Sequence, residues 1–211
     1  MATFSFYIAH LICCGEGGMV STNDEETERV LRSIISHGRR DGKLYFDHVR
    51  LGFNGKMNDL EASVGLPQIK QFQDTFTKRR DNVLYLIEKT RDLQDFAFFN
   101  TEGEDEVVCG HGFSVTVKDP KYNAKALSDF LEGNSIKCKR NFGSMPTQHK
   151  AFAYLGHKLG EFPESEYIGD NGIHFGAHQF LSRDDLDYVS DKLLEYFERF
   201  SRQIQPGQSG D

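Results

Sequence analysis

The chain has 211 residues, room for one large domain or two small ones, and 38% hydrophobic content with 18 Phe excludes a wholly disordered polypeptide. Lys and Arg total 25 against 32 Asp and Glu, a net charge of −7 with no basic stripe, which argues against nucleic acid as the main partner. No run of about 18 apolar residues exists to form a membrane-spanning helix.

Thr3 to Cys14, rich in Phe, Tyr and Ile, reads as a buried strand. It lacks a basic n-region and runs into Gly15-Glu16-Gly17-Gly18, so it does not read as a signal peptide. Met19-Val20-Ser21 completes a hairpin. Thr22 or Asn23, with Glu25 or Glu26 three residues on, is the expected N-cap of a helix from Asp24 to about His37. Val30, Leu31, Ile34 and Ile35 form its apolar face, and Gly38 ends it. Gly38 to Lys56 is a charged loop. Asn58 caps a short helix that Pro67 interrupts, and a long amphipathic helix follows from about Gln68 to Arg91, with Ile69, Phe72, Phe76, Val83 and Ile87 in register. The acidic stretch Thr101 to Glu106 is a loop.

An α+β alternation then begins: a strand at His111–Lys118, a helix at Asn123–Glu132 ended by Gly133, a strand at Ser135–Arg140, and a short helix at Gln148–Leu155. Ser182 caps a final helix from Arg183 to about Ser201, with Leu186, Val189, Leu193, Leu194 and Phe197 on its core face. Gln203 to Asp211 is a loose tail. The natural division falls near residue 92. Cys13, Cys14, Cys109 and Cys138 show no C-x2-C pairing and read as small buried hydrophobes in a reducing cytoplasm. His174 and His178 are spaced i,i+4 but lie in a stretch that reads as a strand without an acidic third ligand, so no metal site is assigned.

Gly15-Glu16-Gly17-Gly18 is no P-loop, since it lacks the G-K-[ST] ending and precedes a strand. Alone it is a tight hairpin. Together with Ser5-Phe6-Tyr7, His10, Met19 and the later run Gly52-Phe53-Asn54-Gly55-Lys56-Met57-Asn58-Asp59-Leu60-Glu61-Ala62, it resembles the DegT/DnrJ/EryC1/StrS family of pyridoxal-phosphate enzymes. The Asp184-to-Val189 run resembles that family's C-terminal helix, and the resemblance covers nearly the whole chain. It implies an α/β architecture: the C-terminal part of the aspartate-aminotransferase type I fold. Residues 1–92 would be the end of the large cofactor-binding domain with connecting helices, and 93–202 the small α+β domain. It also implies sugar-modifying chemistry in the cytoplasm, pyridoxal 5′-phosphate or pyridoxamine 5′-phosphate as cofactor, a nucleotide-sugar substrate, and a homodimer.

Two departures from the family pattern matter. His10 stands where the resemblance places the cofactor lysine. A lysine amine condenses with an aldehyde; an imidazole cannot. A His here resembles the subset that removes the 3-hydroxyl from nucleotide-linked 4-keto-6-deoxy sugars, with His10 as the proton-transfer group, which suits an imidazole titrating near neutrality. A sugar aminotransferase and an inactive chain or interaction fragment remain open. The second departure is that the family carries about half its length before this strand, including the aspartate that pairs with the pyridine nitrogen. The chain as given is therefore expected to be an incomplete catalyst. By the same resemblance, Ser5 and Asn54 would bind the cofactor phosphate, Asn54 reaching the neighbouring subunit's site. His149, in Pro146-Thr147-Gln148-His149, would contact the substrate.

Overall fold

The computed structural model describes residues 1–40, 46–141 and 145–204, with side chains through Arg199. The expected loop at 38–56 and the expected tail therefore lie partly outside the described residues. The chain divides into two compact units, Met1–Thr75 and Phe76–Asp211.

In the first unit, β1 (Ala2–Ser5) pairs antiparallel with β2 (Gly18–Ser21), Ala2 opposite Ser21 and Ser5 opposite Gly18, as the hairpin reading requires. The expected buried strand to Cys14 is not formed. Both strands are exposed along their length, and of the expected span only Cys14 is buried. The cause is local. The His10 N–H donates to the Tyr7 carbonyl (2.9 Å), turning the chain out of the ladder, and the Cys14 N–H returns to the Phe6 carbonyl (2.9 Å).

Helix α1 (Glu25–Ile35) is capped by Asp24, not by Thr22 or Asn23. The Asp24 carboxylate accepts from the Thr27 N–H at 2.7 Å, and Thr22 Oγ1 instead accepts from the Asp24 N–H. Those bonds from Thr27 hold the Asp24 carboxyl below the usual range. Gly38, at φ 76°, closes the helix by donating to the Ser33 carbonyl (2.8 Å). Helix α2 (Asp59–Lys89) is one continuous helix through Pro67, where two were expected. Proline removes a single i→i−4 bond, and its fixed φ is itself helical, so the remaining rungs carry the helix past it. The Asn58 cap holds: its Oδ1 accepts from the Glu61 N–H (2.9 Å) while Glu61 accepts from the Asn58 N–H (3.2 Å).

The second unit is built on an antiparallel sheet of order β3 (Ala97–Phe99), β4 (Gly112–Val117), β6 (Gly172–Gly176) and β5 (Cys138–Arg140). One face supplies Phe113, Val115, Ile173 and Phe175 to a core with Val83 and Leu86 of α2. Helices α3 (Ala124–Gly133) and α5 (Arg183–Ile204) complete it with Leu127, Leu131, Leu186, Leu193 and Phe197. Each such side chain, fully buried, contributes about 1.5–3 kcal/mol. Ser182 caps α5 as expected, its Oγ accepting from the Asp185 N–H at 3.2 Å.

Other expectations are corrected as follows. The strand at 135–140 shrinks to Cys138–Arg140, because Ser135 turns left-handed (φ 64°) and the Ile136 N–H is used to close α3 at Leu131. The helix at 148–155 is two 3-10 turns, Pro146–Gln148 and Lys150–Leu155, with a kink at Phe152. Helix α4 (Pro163–Asn171) was not expected. Cys13, Cys109 and Cys138 are half-buried rather than buried, and burial pushes the Cys138 thiol up to about 12.

Tyr196 is buried, and its hydroxyl donates to the Tyr122 and Asn123 carbonyls, at the point where Asn123 adopts φ 46° to cap α3. Tyr196→Phe leaves those carbonyls without this donor and is expected to cost about 1–3 kcal/mol in urea unfolding. Unchanged stability would show that the carbonyls find another donor.

Candidate functional site

Ser5 ends β1, and its Oγ accepts from the Tyr7 N–H at 3.3 Å. That bond occupies an acceptor lobe and leaves the hydroxyl proton to donate. Tyr7 begins the turn that delivers His10, and the two rings meet edge to face at 6.3 Å. Ser5 and His10 are thus joined through Tyr7. His10 is half-buried in a bend after the turn rather than within a strand.

Gly17, at φ 124°, follows the loop. A Cβ there would lie 2.6 Å from Met57 Cε. The Gly15–Met19 and Gly52–Ala62 runs, distant in sequence, therefore meet at Gly17 and Met57.

Asn54 is held from behind. It bridges antiparallel to Ser36, while the Phe53 N–H donates to Ile34 (2.7 Å) and the Gly55 N–H to Ile35 (2.9 Å). Its backbone is fixed to the end of α1 and its side chain is exposed. Beside it His37 adopts φ 63°. Burial, then Arg39, Lys56 and His48, hold the His37 imidazole below its ordinary range. This positively charged surrounding was missed in the sequence, where the same residues look like a solvated loop. Its field favours an anion near Asn54.

A phosphate fits these groups. The Ser5 hydroxyl and the Asn54 amide are neutral donors suited to phosphate oxygens. The first lysine of the chain is Lys43, so no amine in the Ser5–Met19 segment can condense with an aldehyde.

His149 belongs to the second unit. It is exposed, and its carbonyl accepts from the Phe152 N–H (2.8 Å), opening the second 3-10 turn. Gln148 beside it donates to Glu166 (2.6 Å) and to the Lys158 carbonyl (2.7 Å), bracing the segment.

His174 of β6 meets Asn141 at 3.0 Å, and Asn141 Nδ2 donates to Ser114 Oγ at 3.0 Å. That network turns the Asn141 carbonyl toward His174, so Nδ1 carries the proton. Burial, then His111 and Lys139, lower the His174 pKa from 6.5. The native state favours neutral imidazole. Its contribution to stability is therefore complete above about pH 6.5 and is lost as pH falls through that value toward the native pKa. Urea midpoints should fall between about pH 7 and pH 5, and fall less in His174→Gln. Equal pH slopes in the two proteins would remove His174 as the cause.

No helix among the described residues is long and apolar enough to cross a membrane. The chain is 28% identical over 214 residues to the GDP-4-keto-6-deoxy-D-mannose 3-dehydratase of Escherichia coli O55:H7, covering 92% of this chain and 54% of that one. It is 33% identical over 196 residues to the GDP-perosamine synthase of Caulobacter vibrioides, covering 89% and 50%. It therefore spans about half the length of the curated relatives it matches. The solved E. coli GDP-4-keto-6-deoxy-D-mannose 3-dehydratase with bound hydrated PLP superposes with a TM-score of 0.76 at 24% identity, over 91% of this chain and 54% of that one. The expected architecture holds: this is the C-terminal part of the pyridoxal-phosphate aminotransferase fold. The family model of the DegT/DnrJ/EryC1/StrS aminotransferase family matches residues 1–194, and the chain belongs to that family.

Proposed function

We propose that the chain is part of a cytoplasmic enzyme that removes the 3-hydroxyl from nucleotide-linked 4-keto-6-deoxy sugars in deoxysugar and polysaccharide biosynthesis. The observation that carries this is His10, which stands in the Ser5–Met19 signature where the resemblance places lysine. Overall identity does not separate the reactions, since a dehydratase and an aminotransferase are both among the relatives. Position 10 does, because only an amine can hold the cofactor covalently. Pyridoxamine phosphate, when bound, would supply an amine reactive toward the C4 ketone and a ring able to take up an electron pair. His10 moves the proton at the cofactor's C4′ as the 3-hydroxyl departs. Ser5 and Asn54 hold the phosphate, and His149 touches the nucleotide sugar.

Residues 1–92 serve as the end of the large domain and 93–202 as the small one. The active form is a homodimer in which Asn54 serves the partner's site. Supporting this, the first unit exposes the large apolar side chains Leu51, Phe53, Leu60, Leu66 and Ile69. A sugar aminotransferase is the second reading, favoured by the 33% identity to a perosamine synthase.

The test is made on a complete subunit containing this chain. After borohydride reduction in the presence of pyridoxal phosphate, tryptic peptides should carry no pyridoxyl group. A pyridoxyl-lysine in any peptide would sink the His10 assignment. Glutamate-dependent turnover of a 4-keto-6-deoxy nucleotide sugar, followed by NMR, should show loss of the 3-hydroxyl. Accumulation of the 4-amino sugar would select the aminotransferase reading.

A further inference from the structure

The face of the second unit's sheet turned away from its core has an unusual composition. Strand pairing sets Gly112 opposite Gly176, Ser114 opposite His174 and Thr116 opposite Gly172, so the β4–β6 face carries no apolar side chain. On the edge strand, Lys139 lies opposite His174. Glycine weakens a strand, and in one it marks a place where a ligand or another backbone comes close. At Gly172 the neighbour is internal: the Asn141 side-chain amide lies where a Cβ would stand. At Gly112 the nearest neighbour is also internal, the Phe175 carbonyl oxygen 2.6 Å from where a Cβ would stand, and the nearest side-chain atom is His174 Cδ2 at 3.5 Å; a Cβ on Gly176 would lie 3.4 Å from His178 Cδ2. His111, just before β4, places its ring 6.0 Å from that of His174.

We propose that His111, His174 and Lys139, above the Gly112–Gly176 pair, form a binding site for a phosphoryl anion. Its identification with the diphosphate of the substrate rests on the nucleotide-sugar reading above.

The electrostatics favour an anion. The charged groups acting on His174 are His111 from the β4 side and Lys139 from β5, and both oppose its protonation. Asp170 of α4 is paired with Arg140 (3.7 Å), and Asp185 of α5 acts on His178. A phosphoryl dianion would offset the opposition of His111 and Lys139 to His174 protonation and give the three side chains one acceptor group. Asn141 prepares His174 for this. With Nδ1–H committed to Asn141, protonation adds a donor at Nε2, on the opposite edge of the ring.

The test uses the 211-residue chain and imidazole NMR near pH 6.5, with inorganic diphosphate as the first probe and a nucleoside diphosphate as the second. Diphosphate should shift the His111 and His174 signals and raise the His174 titration midpoint by about one unit. His174→Gln should weaken binding about tenfold. Lys139→Gln, at an exposed position on the edge strand, should weaken it about threefold. Unmoved His174 signals at about 10 mM diphosphate, or undiminished affinity in both variants, would overturn the site. Tighter binding of the nucleoside diphosphate supports the substrate assignment; equal binding keeps the anion site and overturns that assignment. A complete enzyme that catalyses neither sugar reaction would remove the functional reading without touching this measurement.

Discussion

Replacing His10 by Asn in a complete subunit is expected to lower dehydration by about 100- to 10,000-fold, the usual contribution of a positioned proton-transfer group. Cofactor affinity should stay near its starting value. The phosphate is assigned to Ser5 and Asn54, and the Tyr7–His10 turn is made by backbone groups that the substitution leaves in place. His10→Lys should do something different. Its amine would stand in the same turn as Ser5 and could capture the aldehyde form of the cofactor, so a pyridoxyl adduct should appear at position 10 after borohydride treatment while dehydration falls. The pair of variants separates chemistry from structure. If His10→Asn turns over normally and His10→Lys gains no adduct, His10 is a structural residue of the turn and the dehydratase assignment is wrong. The family membership, which rests on the match over residues 1–194, would survive.

What could be read from the sequence followed the strength of local signals. α3 and α5 show clear periodicity and side-chain caps at Asn123 and Ser182, and both form as read. β3 has only three residues, and α4 mixes Pro163, Gly169 and acidic residues without an apolar stripe, so neither announces itself. Burial was misjudged in the first unit. Phe4, Ile8, Leu60 and Ile69 have the composition of core residues but are exposed, since composition reports what a segment can bury and not what lies against it. Ser5, His10 and Asn54 stood out because motifs fix them. The Gly17–Met57 meeting and the Ser114–Asn141–His174 network join residues far apart in the chain. His174 was paired by spacing with His178, whereas β4–β6 pairing brings it to His111.

Gly52→Ala is expected to have the largest effect on stability, at the crossing that holds Asn54. A Cβ on Gly52 would fall onto the Gly38 backbone nitrogen and come within 2.5 Å of the His37 carbonyl carbon. From the other side, a Cβ on Gly38 would lie 2.7 Å from the Arg50 carbonyl carbon. Both obstacles are main chain, so no rotamer change can relieve them. The crossing is also tied by three hydrogen bonds: Val49 N–H to Gly38 (2.9 Å), His37 N–H to Phe53 (2.9 Å) and Phe53 N–H to Ile34 (2.7 Å). Forcing the segments apart would lose these at about 1 kcal/mol each, so a loss on the order of 3–4 kcal/mol is expected. Gly55→Ala is the control in the same loop. Its Cβ would meet the Ile35 side chain at 3.4 Å, an ordinary contact, and the cost should stay within about 0.5 kcal/mol. Urea unfolding gives the energies, and hydrogen exchange at the Val49, His37 and Phe53 amides reports whether the crossing itself opens. Exchange at β4 and β6, in the other unit, should be unaffected below the global transition. Because Asn54 rides on the crossing, a complete subunit carrying Gly52→Ala should also bind cofactor more weakly than one carrying Gly55→Ala. Native-like protection of all three amides in Gly52→Ala would mean that the close approach of Gly38 and Gly52 does not constrain the loop, and that the hydrogen bonds around Asn54 suffice to hold it.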